Sequence, residues 1–376
     1  MTTLPVLEDL PPLAGKRVLV RVDFNAPITT AADGSRIIED DFRLVESVPT
    51  LSWLVENGAT VVVCTHLGRP HGVVDPGLTV APLEARLREL VPGVEMMENL
   101  RFDPGEEAND PAFVDRIVAG FDYYVNDGFA VSHRAHASVV GPPTRIPSVA
   151  GRVLAHEVEV LSGLLSDPAR PFVAVVGGAK VADKLGVIRA LAPKVDSLLV
   201  GGGMAFTFLA SQGHAIGASL LDASSIEACA TLLEGPTQIV LPSDAVALSP
   251  DKTTVASFGL EIPDGYAALD IGPDTAARFS AIIASAKTVL WNGPMGVFED
   301  PRFSKGTEAV AHAIADGPGF SVVGGGDSVS AIDHLGLEGQ IDYVSTGGGA
   351  SLEFLENGDL PGLAALRNSP FRGALE

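Results

Sequence analysis

Two lysines and four glycine-rich turns in the second half of this chain have the types and spacing to hold a phosphate. Apolar, strand-like runs enter triple glycines at Gly201–Gly203, Gly324–Gly326 and Gly347–Gly349, each followed by a helix-like stretch. A fourth run, PFVAVV, ends in GGAKVADK, which sets Lys180 and Lys184 just beyond Gly177 and Gly178. Glycine lets a backbone turn tightly and approach a ligand, and a following helix offers unpaired N–H groups to an anion. In GGGDS, Asp327 stands at the first helical turn, where a carboxylate can reach a magnesium ion carried by phosphates. The first half supplies a different set: Asp23 and Asn25 in VDFNAP, His66 and Arg69 in THLGRP, Arg101 in ENLRF and Arg134 in NDGFAVSHRAHAS. The planar fork of arginine suits carboxylate and phosphate. Taken singly, such an arginine is more often a solvated surface charge, a histidine a packing residue and a triple glycine a plain tight turn. Their recurrence at the ends of strand-like runs favours anion binding.

Rigid elements must position these side chains. In the first half KRVLVRVDF, ATVVVCTH and FDYYVNDGF read as strands, with helical runs in DDFRLVESVPTLSWLVENG, closed by Gly58, and LTVAPLEARLRELV. The second half repeats the scheme with PFVAVV, DSLLV, TQIVLPSD, KTVLWNG, FSVVGGG and IDYVST. Short apolar strands alternating with helices predict parallel sheets covered on both faces. In open sheets of that kind ligands bind outside the carboxyl ends of the strands, where the polar residues above are concentrated. Val149, Val153, Leu154, Val158, Leu161, Leu164 and Leu165 recur at helical spacing, which predicts a helix over 149–166 before Pro168 and Pro171. The expected class is α/β, with two doubly wound domains and a cleft between them. The expected division is 1–150, a linker helix at 151–168, a second domain at 169–360 and a tail at 361–376.

Length and charge narrow the functions. The 376 residues suit two domains, each with its own core. A net charge of −22, spread over both halves, argues against general nucleic-acid or anionic-membrane binding. A small anionic substrate is still admitted, because a few placed side chains can make a basic pocket on an acidic protein. Only Cys64 and Cys229 are present, which suits a reducing cytoplasm rather than a disulfide framework. The segment MTTLPVLEDLPPL has neither a basic n-region nor a sustained apolar one, and no apolar run approaches the roughly 20 residues of a membrane span. A cytosolic protein is expected. No Cys/His cluster indicates a structural metal and no G-x-S-x-G elbow a serine hydrolase. GGAKVADK is not G-x-x-x-x-G-K-[ST], and no triple glycine forms G-x-G-x-x-G, which disfavours an NAD-dependent dehydrogenase.

The strings VRVDFNAP, THLGRP, ENLRF, VNDGFAVSHRAHAS, VVGGAKVADK, VGGGMAFTFL, WNGPMGVFE, VVGGGDS and STGGGASLEFLE closely resemble phosphoglycerate kinases, in that family's order, from Lys16 to Leu366. The resemblance implies two Rossmann-like domains joined by a helix, with the tail returning to the first. It also implies reversible transfer between 1,3-bisphosphoglycerate plus ADP and 3-phosphoglycerate plus ATP, with Mg2+. Carried over motif by motif, Asp23, Phe24, Asn25, Arg43, His66, Leu67, Gly68, Arg69, Arg101 and Arg134 would bind phosphoglycerate. Arg43 is preferred to Arg36 because it stands six residues before Pro49 in an R-x5-P-T element. Lys184, Gly202, Asn292, Pro294, Glu299, Gly325, Gly326, Asp327 and Ser328 would bind the nucleotide, with Glu299 on the ribose and Asp327 near the metal. Arg43, Lys180 and the backbone of Gly348 and Gly349 would stabilise the transferred group. Small molecules are the expected partners, without nucleic acid or membrane, and a monomer is expected.

A carboxylate acceptor is already deprotonated, so no general base is needed; the work is to place two anions in line and neutralise charge. Lys180 and Lys184, four residues apart, are expected one helical turn apart on one face. Lys180 would follow the transferred group while Lys184 holds the nucleotide phosphates. The chain departs from the family at Gly128, Ala130 and Val131, where Ala, Gly and Thr are usual. It is also short between Pro70 and Glu98, which predicts an altered edge of the first sheet. These departures keep open a relative that phosphorylates another small carboxylate. A catalytically silent nucleotide-binding regulator is the alternative from another class. Retention of Arg43, Arg134, Lys180 and Asp327 together argues against silence.

Overall fold

A computed structural model describes residues 3–31, 34 and 36–375. The chain forms two compact units, one containing residues up to Val160 and again from Asp359, the other Leu161–Gly358. Unit 1 contains β1 (Arg17–Arg21), β2 (Ile28–Thr30), β3 (Arg36–Ile38), β4 (Thr60–Cys64), β5 (Glu95–Met96), β6 (Tyr123–Asn126) and β7 (Ser148–Ala150). Its main sheet has the order β5-β4-β1-β6-β7, parallel throughout, while β2 and β3 form an antiparallel hairpin. Strands β1 and β4 are buried after their first residue, as expected of parallel strands covered on both faces. Val18, Val20, Val61 and Val63 pack with Leu44, Leu51 and Leu54 of the helix Phe42–Glu56 and with Leu83 and Leu87 of Ala81–Leu90. The short stretch between Pro70 and Glu98 still delivers an edge strand, but one of only two residues, in register Val62↔Glu95 and Val63↔Met96.

The helix predicted over 149–166 begins later. Residues 148–150 are β7, with Val149 opposite Val125, and the helix runs Arg152–Ser166. Val149 is fully buried beside β6, so ladder hydrogen bonds and burial override an apolar spacing that also fits a strand. The boundary between the two units falls inside this helix. Residues beyond Asp359 pack on unit 1: Gly362 N donates to Ser132 O at 2.8 Å and Ser369 Oγ to Pro143 O at 2.7 Å.

Unit 2 contains β8 (Phe172–Val176), β9 (Ser197–Val200), β10 (Gln238–Val240), β11 (Ala245–Leu248), β12 (Val255–Phe258), β13 (Ala267–Ile271), β14 (Thr288–Asn292), β15 (Phe320–Gly324) and β16 (Tyr343–Val344). The six-stranded sheet β10-β9-β8-β14-β15-β16 is parallel; β12-β11-β13 is a separate antiparallel sheet absent from the sequence expectations. Val173, Val175, Val289, Trp291 and Val323 form the centre of its core with Phe279 and Val310.

Each parallel sheet reverses its winding once. In unit 1 the chain proceeds from β1 outward to β5, then returns to the other side of β1 with β6. In unit 2 it proceeds from β8 to β10, then returns beside β8 with β14. The loops after β1 and β6, and after β8 and β14, diverge at these points and leave a crevice for a ligand.

Candidate functional site

The loops after β1, β4 and β6 in unit 1 are tied together before any ligand arrives. Phe24 is buried, and its N–H donates to Thr65 Oγ1 at 3.0 Å. Asn25 Oδ1 accepts from Gly68 N at 2.9 Å, and Asn99 binds both sides of Leu67, accepting from its N–H and donating to its carbonyl. Arg101, almost fully buried, donates to Gly68 O at 2.7 Å and faces Glu107. Asp23 pairs with Arg43, which sits in the first turn of Phe42–Glu56. Arg69 is exposed and Arg134 half-buried, with Arg134 Nε 3.2 Å from His133 Nε2.

Positive charge dominates this crevice. Burial lowers the His66 pKa strongly, and Arg21, Arg101 and Arg134 lower it further. Burial, Arg101 and Arg134 bring His136 down to about 4. Burial and Arg134 also lower His133. Burial first, and then the neighbouring guanidinium groups, hold these histidines neutral, although Asp23 and Glu107 stand among the arginines.

The loops of unit 2 build a second site. Lys184, Asn292, Gly293, Gly325–Ser328, Gly348, Gly349 and Leu352 line one open pocket of about 220 Å³. Lys184 Nζ donates to Gly177 O at 2.8 Å, Asn292 O at 3.1 Å and Asn292 Oδ1 at 2.6 Å. Burial lowers its pKa to about 8, opposed by Asp327 and Asp183. Gly325 has φ +92° and would bring a Cβ within 2.8 Å of Asn292 Nδ2, so only glycine suits this turn. The helices Gly326–Leu335 and Gly349–Asn357 both start at the pocket, which brings two sets of unpaired N–H groups to it.

A family model described as Phosphoglycerate kinase matches residues 7–96 and 92–358. The chain belongs to the phosphoglycerate kinase family. A phosphoglycerate kinase of Frankia casuarinae is 50% identical over 391 residues, covering 94% of this chain and 98% of the relative. One of Salinispora arenicola is 49% identical, covering 95% and 97%. The solved phosphoglycerate kinase of Coxiella burnetii superposes with TM-score 0.88 at 36% identity, covering 97% of this chain and 99% of that one.

The expected phosphoglycerate kinase residues group unevenly. Phe24, Asn25, Leu67, Gly68 and Arg101 are held by the contacts above. Asp23 joins them by accepting from Asn25 N at 3.2 Å, pairs with Arg43 and lies 3.8 Å from His66 Nδ1. Arg134 acts electrostatically on the same His66, while Arg69 is exposed. Lys184, Asn292, Gly325, Gly326, Asp327, Ser328, Gly348 and Gly349 line the second pocket. Gly202, Pro294, Glu299 and Lys180 do not line it. Gly202 instead fits against the β8 turn, where a Cβ would lie 2.6 Å from Gly178 N, and Pro294 O accepts from Gly178 N. Of four glycine turns read as phosphate loops, two therefore open to the pocket and two lock strand ends together. Glu299 and Lys180 are exposed.

Lys180 and Lys184 do not share a helical face. Lys180 lies outside helix, Lys184 ends the 3-10 turn Ala182–Lys184, and the helix begins only at Leu185. The glycine turn holds the chain off the helical path through Lys180, so the i,i+4 relation never forms. Arg21, Glu106 and Ser138, which back the arginine crevice, escaped sequence reasoning. The one available signal was a lone charge inside the apolar strand VLVRV. No group of three or more His, Cys, Asp or Glu suited to a metal occurs among the described residues. Asp327 alone offers a carboxylate in the second pocket, which fits Mg2+ arriving on a nucleotide, since that ion commonly takes one or two carboxylates plus phosphates.

Proposed function

We propose that this chain reversibly transfers a phosphoryl group between 1,3-bisphosphoglycerate and ADP on one side and 3-phosphoglycerate and ATP on the other. The supporting observation is that two unlike clusters of candidate anion-binding residues stand at the winding reversals of two parallel sheets in a member of this family. Unit 1 takes the phosphoglycerate in its arginine crevice, through Arg43, Arg69, Arg101, Arg134 and His66. Unit 2 takes the nucleotide phosphates at Lys184 and at the N–H groups that open its two glycine-led helices. Glu299 meets the ribose and Asp327 holds Mg2+, which when bound neutralises phosphate charge.

The acceptor carboxylate attacks the γ-phosphorus in line, the bond to the nucleotide oxygen breaks, and both electron pairs move without a proton transfer. Arg43, Lys180 and the N–H groups of Gly348 and Gly349 meet the charge on the transferred group. Water would hydrolyse the acyl phosphate, so transfer requires that water be excluded from the reacting groups. No described helix is long and apolar enough to cross a membrane, and both cysteines are free and buried, which supports a cytoplasmic enzyme. We take it to act as a monomer.

A coupled assay with 3-phosphoglycerate and MgATP, run beside other phosphorylated carboxylates, tests the assignment. Saturable ADP release with 3-phosphoglycerate is expected. Turnover with a different carboxylate only would make the chain a relative of altered specificity, and nucleotide binding without turnover would make it a regulator.

A further inference from the structure

Behind the arginine crevice runs a line of buried polar contacts. Glu106 is fully buried, and its carboxylate accepts from the Ser138 hydroxyl at 2.6 Å and from the Ser138 N–H at 2.9 Å. With its proton committed to Glu106, Ser138 Oγ offers lone pairs, and it accepts from Arg21 Nε at 2.8 Å. Arg21, only 1% exposed, also donates to Val22 O, and its Nη2 lies 3.3 Å from His66 Nδ1. The Tyr124 hydroxyl secures the same segment by donating to Ser138 O at 2.6 Å. Four separate stretches of unit 1 thus converge on one continuous path: β1, the loop after β4, the helix Pro104–Glu107 and the helix Ala137–Val140.

The path has a direction. A guanidinium only donates and keeps its proton, so the nitrogen it faces must accept. His66 Nδ1 therefore carries the lone pair, and a neutral ring has its proton on Nε2. Asp23 Oδ1 would favour the opposite tautomer, but it stands 3.8 Å from Nδ1, beyond hydrogen-bond reach, and Asp23 is paired with Arg43. Nε2 has no hydrogen-bond partner among the described residues.

We propose that Glu106, Ser138 and Arg21 are positioning residues that lock His66 in its neutral Nε2–H tautomer, offering one fixed donor to an anionic oxygen of the phosphoglycerate. The proposal rests on the assignment of His66 to that substrate's site. Burial of the ring disfavours the imidazolium form strongly, and Arg21, Arg101, Arg134 and His136 add to its effect. The arginines supply charge; His66 supplies direction. Glu106 balances the buried charge of Arg21, which lets that guanidinium serve as a fixed donor rather than as another ligand for substrate.

Long-range 1H–15N correlation spectra of the full-length enzyme labelled at histidine test the relay, with His66 assigned by its loss in His66→Gln. The wild-type ring is expected to show the Nε2–H pattern, unchanged from about pH 5 to about pH 8, the span in which ordinary histidines titrate. Ser138→Ala removes the middle contact, and Glu106→Gln keeps the shape while removing the charge. Each is expected to mix the tautomers and to raise KM for 3-phosphoglycerate about 2- to 10-fold, the worth of one ordinary hydrogen bond. KM for ATP should stay unchanged. An Nδ1–H ring, a ring that charges within that span, or a wild-type pattern in either folded variant overturns the relay. Should Ser138→Ala fail to fold, Glu106→Gln and the wild-type spectrum still decide. A locked tautomer combined with unchanged 3-phosphoglycerate kinetics in His66→Gln overturns the donor role and the site assignment instead, while the spectroscopic result stands.

Discussion

Lys184 is a clamp between strand ends and, in the function proposed above, also meets the nucleotide phosphates, so its removal should be felt in both roles. Its ammonium satisfies two backbone carbonyls and the Asn292 side chain at the ends of β8 and β14. Lys184→Met is expected to lower Tm and to raise KM for ATP, whereas Lys180→Ala, at an exposed position, should lower kcat and leave Tm unchanged. Equal, small effects of both substitutions would refute the division of roles. Because burial lowers the Lys184 pKa to about 8, the free enzyme loses this positive charge as pH rises past that value. The kcat/KM for ATP should therefore fall above about pH 8, and that fall should vanish in Lys184→Met; a flat wild-type profile would contradict it. Arg43→Ala, on the other side of the reaction, should cost about 10²–10³ in kcat, as loss of one preorganised charge donor typically does. Steady-state turnover equal to wild type would remove Arg43 from the mechanism.

At the scale of elements, the helix Arg152–Ser166 has an unusual start. Asp127, 3% exposed, accepts from Val153 N at 2.9 Å through Oδ1, while Oδ2 has no hydrogen-bond partner. Gly151 permits this approach, since a Cβ there would lie 2.1 Å from Asp127 Oδ1. Burial pushes the Asp127 pKa up to about 7, partly offset by the hydrogen bond from Val153. A raised carboxyl pKa means that the folded state binds a proton the unfolded state releases. The stability from that proton is complete below the unfolded value of 3.8 and is lost as pH rises through about 7. Asp127→Asn, which keeps the acceptor oxygen without the charge, should gain Tm relative to wild type as pH is raised from about 6 to about 8. Calorimetry at both pH values checks this; a constant difference would show that Asp127 does not titrate there.

The parallel strands were legible because burial on both faces leaves continuous apolar runs, as in VLVRV and FVAVV. The antiparallel β11–β13 were not, because partly exposed strands such as VASF carry little contrast. Val149 fits a helix or a strand equally by spacing alone, and only its partner Val125 decides. The motifs revealed where the arginines and glycines stand but not which face a ligand. Gly202 packs between strands, and Arg21 works from inside one.

At the scale of the whole molecule, the pocket proposed for the nucleotide draws all its residues from unit 2, which is continuous in sequence. A fragment spanning Leu161–Gly358 is expected to bind MgADP by calorimetry, and a folded fragment without affinity would show that unit 1 contributes. Unit 1, by contrast, is split. Leu363 and Leu366 of the helix Pro361–Arg367 are fully buried, and Gly362 lies so close to Ser132 and Val139 that a Cβ would meet either at 2.9 Å. Leu363→Ala should destabilise unit 1 by about 2–5 kcal/mol, the usual range for a buried leucine. Denaturant unfolding followed by a probe in each unit would detect it, and a shift confined to unit 2 would refute it.

That split sets an order of events on the ribosome. The surface of Ser132 and Val139 emerges early, but its cover emerges only after the whole of Leu161–Gly358 has been made. At the usual 5–20 residues per second, the wait is roughly 10–40 s. Unit 2 can complete its fold within that interval while unit 1 stands open on one side. Unit 1 is therefore expected to complete its packing after unit 2, the reverse of the usual N-terminal-first order.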